Sequence, residues 1–276
     1  MLLGLLGLAG CGALQNDVDV PLPFYPSELV VECYLEPGKV PSLAVTTSVP
    51  YLGQVLPQVP TDVTVTLTLP NGTALPLPFA PNYRALVDTT GEKFHSHIGR
   101  DPLVARPGDV FRLEVRDTQG RRVTGTTTML APIPIDSVEH KFNDKTGAER
   151  KAYFLTNWRD PATPDDCYRL LLHKGDPAKG ALRKSPQSDI PIQDRLVNGR
   201  PVVVGTSYRF VTGDTITATL YHTDAAYFRF RQSVRDARSA NGNPFAQPSA
   251  IFSNVQGGIG IFTVLSGVRA TKVIPR

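Results

Sequence analysis

The chain has 276 residues with 25 prolines, 23 glycines, 41% hydrophobic residues and a formal net charge of +4. Its length suits two domains of ordinary size, and its apolar content is too high for a disordered chain. So much proline argues against a helical body and for short strands joined by turns, and three cysteines are too few for a disulfide scaffold.

Residues Met1 to Gly10 form an uncharged run of Leu, Gly and Ala that ends at Cys11. The run is about half the roughly 20 residues needed to span a bilayer, so it reads as a signal-peptide core. Leu8-Ala9-Gly10-Cys11 resembles a lipobox, which makes residues 1–10 the expected signal peptide and Cys11 the expected lipidation site. Acyl chains on one cysteine anchor durably when there are several, at about 0.8 kcal/mol per buried methylene. Residues 11–26, with Pro21, Pro23 and Pro26, form the expected tether.

Period-two alternation then predicts strands at Leu29 to Leu35, Ser42 to Thr47, Val63 to Leu69, Ala74 to Leu77, Tyr83 to Val87, Lys93 to Ile98, Val110 to Asp117 and Arg122 to Thr128. Turn signals such as Pro70-Asn71-Gly72 separate them. This spacing predicts an immunoglobulin-like β-sandwich over 27–130. Ala131-Pro132-Ile133-Pro134 marks a boundary to a second β domain over 131–276. There, strands are expected at Ile135 to Phe142, Lys151 to Asn157, Cys167 to His173, Pro201 to Val204, Ser207 to Val211, Thr215 to His222 and Gly260 to Ile274. The stretch Lys174 to Asp194 reads as a long exposed loop. The fold class is therefore all-β, two sandwich-like domains with one amphipathic helix in the second. Cys33 and Cys167 read as buried free thiols in preference to a disulfide.

That helix is expected from Asp224 to about Ala240, with Thr223 placed to cap it. Tyr227, Phe230, Val234 and Ala237 share its apolar face, and Arg231, Arg235 and Arg238 form a flanking stripe. The stripe reads first as a solvated edge and second as a candidate surface for an anion or partner. Charge is unevenly divided: residues 12–130 carry a net −3 and residues 131–276 a net +7. A basic second half fits phospholipid or lipopolysaccharide headgroups or an acidic partner, whereas nucleic acid is not expected outside the cytoplasm.

No catalytic motif emerges. His95 and His97 alternate on an expected strand without further metal ligands, and read as an exposed pair. Asp165-Asp166 reads as turn chemistry, and nucleophile elbows, zinc-protease helices, phosphate loops and calcium loops are all missing from the sequence. The expectation is a protein without enzyme activity, cofactor or metal.

The C-terminal run carries a family resemblance. A helix is followed by Gly242-Asn243-Pro244-Phe245, Ser253-Asn254-Val255, Gly257-Gly258 and Gly260-Ile261-Phe262, and upstream stand Leu29-Val30-Val31-Glu32, Thr126-Thr127-Thr128-Met129 and Cys167-Tyr168-Arg169-Leu170. Together they resemble the Bacteroidota outer-membrane lipoprotein family known as domain of unknown function 4249. The resemblance implies a lipid-anchored outer-membrane protein, on the cell surface in preference to the periplasmic face. It also implies an accessory or substrate-binding partner of a TonB-dependent receptor. The alternative is a structural or adhesion lipoprotein that binds glycan or envelope proteins. Asn243, Pro244, Phe245, Gly257 and Gly258 have a local reading as fold-defining residues: Pro244 stops the helix, and the glycine pair permits a turn into the last long strand.

Overall fold

The computed structural model describes residues 26–49, 58–87, 93–163, 165–176, 186–196, 198–240 and 250–275. In the first half the elements are β1 (Leu29–Leu35), β2 (Ser42–Thr47), β3 (Val63–Thr68), β4 (Ala74–Pro76), α1 (Arg84–Val87), β5 (His97–Ile98), β6 (Val110–Asp117) and β7 (Arg122–Thr128). The second half contributes β8 (Ser137–Phe142), β9 (Ala152–Arg159), β10 (Cys167–Lys174), β11 (Ser188–Gln193), β12 (Pro201–Gly205), β13 (Thr215–Thr223), α2 (Ala225–Ala240), β14 (Ile259–Val264) and β15 (Ser266–Val273).

These strands form four sheets, ordered β14-β1-β2-β5, β4-β3-β6-β7, β12-β9-β8 and β11-β10-β13-β15. The first two sheets share one core. Alternate residues of β1 (Leu29, Val31, Cys33, Leu35) pack with Val65, Leu67, Phe111, Leu113 and Val123 of the facing sheet. The other two share a second core built around Phe154, Trp158, Tyr168, Leu170, Phe210 and Leu220. Among the described residues the protein is thus all-β and sandwich-like, with one long helix. Cys33 and Cys167 are buried and free, as expected, and burial pushes the Cys33 thiol up to about 12 and the Cys167 thiol up to about 11.

Several elements differ from expectation for local reasons. Residues Tyr83 to Val87 make a helical turn instead of a strand, closed by Ala85 N–H to Asn82 O and Leu86 N–H to Tyr83 O. The expected loop Lys174 to Asp194 contains β11, which carries Pro191 in mid-strand. Its place at the edge of its sheet explains the tolerance, since proline has no ladder N–H to lose there. Ser207 to Val211 forms only a single bridge, between Ala152 and Phe210.

The expected C-terminal strand Gly260 to Ile274 is two strands that part at Leu265. β14 runs parallel to β1 in the first sandwich, while β15 pairs with β13 in the second. Residues 131–276 are therefore not self-contained, because one strand of the first core, bearing Phe262 and Val264, comes from near the C-terminus. Gly257 and Gly258 form the turn that leads into it. Asn254 braces that turn, accepting from Phe262 N–H at 2.8 Å and donating to Phe262 O at 2.9 Å.

Helix α2 is capped by Asp224 rather than Thr223. Tyr227 N–H donates to Asp224 Oδ1 at 2.6 Å, while the Thr223 hydroxyl donates to Cys167 O at 3.2 Å. The other Asp224 oxygen accepts from the Thr263 hydroxyl at 3.0 Å, which fastens the helix start to β14. Tyr227, Phe230 and Val234 then pack on Leu171 and Tyr221 of the second sandwich and on Tyr34, Ile261 and Leu265 beside the first. The helix bridges the two sandwiches.

Candidate functional site

A cleft of about 760 Å³ lies between α2 and the outer face of β1 and β2. Period two decides its floor: while Val31, Cys33 and Leu35 enter the core, Val30, Glu32 and Tyr34 face the other way. Helix α2 supplies Tyr227, Arg231 and Arg238, and β10 supplies Arg169. With Lys39 and Lys93, five cationic side chains line the cleft against two acidic ones, Glu32 and Glu36.

The cations are held in place. Asp189 on β11 accepts from Arg169 Nε and Nη2, both at 2.8 Å, and from Arg231 Nη2 at 2.5 Å. Arg169 Nη1 donates to the Tyr227 hydroxyl at 2.7 Å. Burial pushes the Asp189 carboxyl upward, but the two guanidinium groups outweigh it and hold it below the usual carboxylate range. Among the described residues Arg169 uses three of its five N–H donors, two on Asp189 and one on Tyr227.

Lys93 stands with its ammonium 4.2 Å from the centre of the Tyr34 ring, and the Tyr34 hydroxyl donates to Glu32 Oε2 at 2.8 Å. Lys93 is an exposed residue of the cleft lining whose ammonium rests against the Tyr34 ring. Loss of water there lowers its pKa, and nearby Arg169 lowers it further. Burial and the neighbouring Glu32 raise the Tyr34 phenol. An anion entering the cleft meets Lys93 together with the fixed guanidinium groups of Arg169 and Arg231.

Of the three arginines singled out in the sequence, Arg231 and Arg238 line this cleft. Arg235 lies farther round the helix, beside β11, and donates to Gln232 Oε1 at 2.7 Å. Arg231 is no solvated edge, because the shared Asp189 fixes it. Sequence reasoning missed Asp189, Arg169, Lys93 and Tyr34, which lie on four other stretches of chain. His97 is buried rather than exposed: its ring nitrogens contact Ser96 Oγ at 2.9 Å and Val63 O at 3.3 Å, and burial lowers its pKa. Cys11, Asn243, Pro244 and Phe245 lie outside the described residues.

No curated protein matches the chain. A family model described as "Domain of unknown function (DUF4249)" matches residues 15–270, nearly the whole length. Apart from the last three residues of β15, the strands of both sandwiches and the helix between them fall inside that match, and the chain belongs to this family of unknown function.

Proposed function

We propose that the protein is a non-enzymatic outer-membrane lipoprotein, anchored through Cys11, whose basic cleft receives an anionic ligand or an acidic segment of a TonB-dependent receptor. The observation that carries this reading is the Arg169–Asp189–Arg231 arrangement, with an excess of cations around it. Guanidinium groups fixed before binding lose little further rotamer freedom when they meet an anion. Among the described residues no helix is long and apolar enough to cross a membrane. A lipid on Cys11 would supply attachment.

The deciding experiment is mild-detergent capture of the tagged native protein. Stoichiometric recovery of a TonB-dependent receptor supports the proposal; envelope attachment with glycan or other envelope proteins, and no receptor, replaces it with the structural or adhesion reading. The double variant Lys93→Gln, Arg238→Gln spares the Asp189 ion pairs. It should weaken the association at least about tenfold, as expected for two lost charge-assisted contacts, and make it less sensitive to salt. Cys11→Ser should move the protein from the membrane pellet to the soluble fraction, since only the thiol accepts the lipid. Retention of that variant in the pellet with unchanged mass would refute the anchor.

A further inference from the structure

At the end of the second sandwich, Asp160 directly follows β9, Asp166 directly precedes β10, and Asp194 directly follows β11. One carboxylate oxygen from each lies within 4.8 Å of the others. Asp160 and Asp194 are only 2% and 1% exposed. The polar partners of this group are few. Asp160 accepts from the Tyr168 hydroxyl at 2.5 Å and from Gly199 N–H at 2.8 Å. Asp166 Oδ1 meets His222 Nε2 at 3.0 Å, and the other ring nitrogen of His222 meets Ala131 O at 2.7 Å. Two oxygens of the cluster, Asp166 Oδ2 and Asp194 Oδ2, are sealed from solvent with no hydrogen-bond partner among the described residues. Among the described residues, no lysine or arginine forms an ion pair with any of the three.

Three carboxylates so close and so poorly solvated repel one another, and each orphaned oxygen forfeits its hydration without replacement. A cation at their centre removes both penalties. We propose that Asp160, Asp166 and Asp194 hold a hard divalent cation of the calcium class. The free donors are all oxygen, which selects a hard ion over zinc or copper. Oxygens bound to one calcium at about 2.3–2.6 Å stand no more than about 5 Å apart, as these do. Bound there, the ion joins the end of β9 in one sheet to β10 and β11 in the other. Through the contacts of His222 with Asp166 and Ala131 it also steadies the linker between the sandwiches. These three aspartates share no residue with the lining of the basic cleft.

Trp158 gives a direct readout. It is the only tryptophan of the chain, and its ring lies 5.6 Å from that of Tyr168, whose hydroxyl bonds Asp160. In the EDTA-stripped full chain, terbium excited through Trp158 should give saturable sensitised emission at one ion per chain, displaced by calcium. Millimolar calcium should raise the melting temperature of the wild type, and EDTA should reverse the rise. Asp194→Asn and Asp166→Asn should each bind terbium at least about tenfold more weakly. Without metal they should melt no lower than stripped wild type, because each removes one repelling charge. Absence of sensitised emission from wild type, emission that both variants retain unchanged, or a melting temperature indifferent to calcium would each overturn the site.

Discussion

Replacing Gly260 by alanine is expected to cost about 4 kcal/mol or more, enough to leave little folded protein. A Cβ at this position would stand 1.8 Å from Val31 O and 2.7 Å from Val31 C, and the residue holds φ at +141°. Backbone strain in this glycine-only region contributes about 1–3 kcal/mol. Overpacking adds a further 1–3 kcal/mol or so, because the obstacle is main chain and not a flexible side chain. Val31 pairs with Gly260 across the parallel β1–β14 ladder, so relief requires the two strands to part. Parting them withdraws Phe262 and Val264 from the first core. Gly72→Ala is the control: φ there is +84° with nothing within 4 Å, so only the left-handed penalty of about 1–2 kcal/mol applies. Urea unfolding midpoints separate the two, and a Gly260→Ala protein as stable as Gly72→Ala would contradict the β1–β14 pairing.

The same region shows what a sequence does and does not disclose. Where one face of a strand is buried and the other wet, alternation is plain, and Leu29–Leu35 forms β1 with the bounds that its pattern predicts. β14 is covered on both sides: Phe262 and Val264 enter the sandwich core while Ile261 packs under the helix. Its residues from Gly260 to Val264 are therefore all buried, and the period vanishes. Nothing local then marks the crossing at Leu265 from one sandwich to the other. The glycines before it are legible as a turn, and the structure requires them: a Cβ at Gly257 would lie 2.1 Å from Arg122 O and one at Gly258 2.5 Å from Leu29 O. In β11 the alternation of Ile190 and Ile192 is present, but Pro191 between them disguises it.

The sites were harder to read because their parts are distant in sequence. The arginines of α2 stood out as a stripe at helical spacing, yet what fixes Arg231 is Asp189, which is 42 positions away on a strand that read as a loop. Asp160, Asp166 and Asp194 follow no ligand spacing known for one loop. They meet because three strand ends reach the same end of the second sandwich.

Asp189→Asn should destabilise the protein by about 2–3 kcal/mol, a figure set below the 3–5 kcal/mol typical of breaking a buried pair because the site is only partly closed. The Arg169 side chain is 12% exposed and Asp189 27%, whereas Arg231 reaches 32%. Asparagine keeps the shape and one acceptor oxygen, but it loses the charge and the second acceptor, so the two-oxygen pairing with Arg169 and the shared contact with Arg231 cannot all be kept. The sign with pH follows from the lowered carboxyl pKa of Asp189. A carboxyl lower in the folded state stabilises fully above its unfolded value of about 3.9, and the contribution fades as pH falls through the folded value. The gap between wild type and variant should therefore be constant from neutrality down to about pH 5 and close in stronger acid. Glu114 offers the contrast. Its hydrogen bonds from Arg116 and Arg122 hold its carboxyl at about 2, but those arginines are more than half exposed, at 57% and 55%. Water screens these pairs, and Glu114→Gln should leave the unfolding midpoint where it was. Equal effects of the two substitutions in chemical unfolding at neutral pH would mean that Asp189 is as well solvated as Glu114, and that Arg169 and Arg231 are not held in advance for an anion.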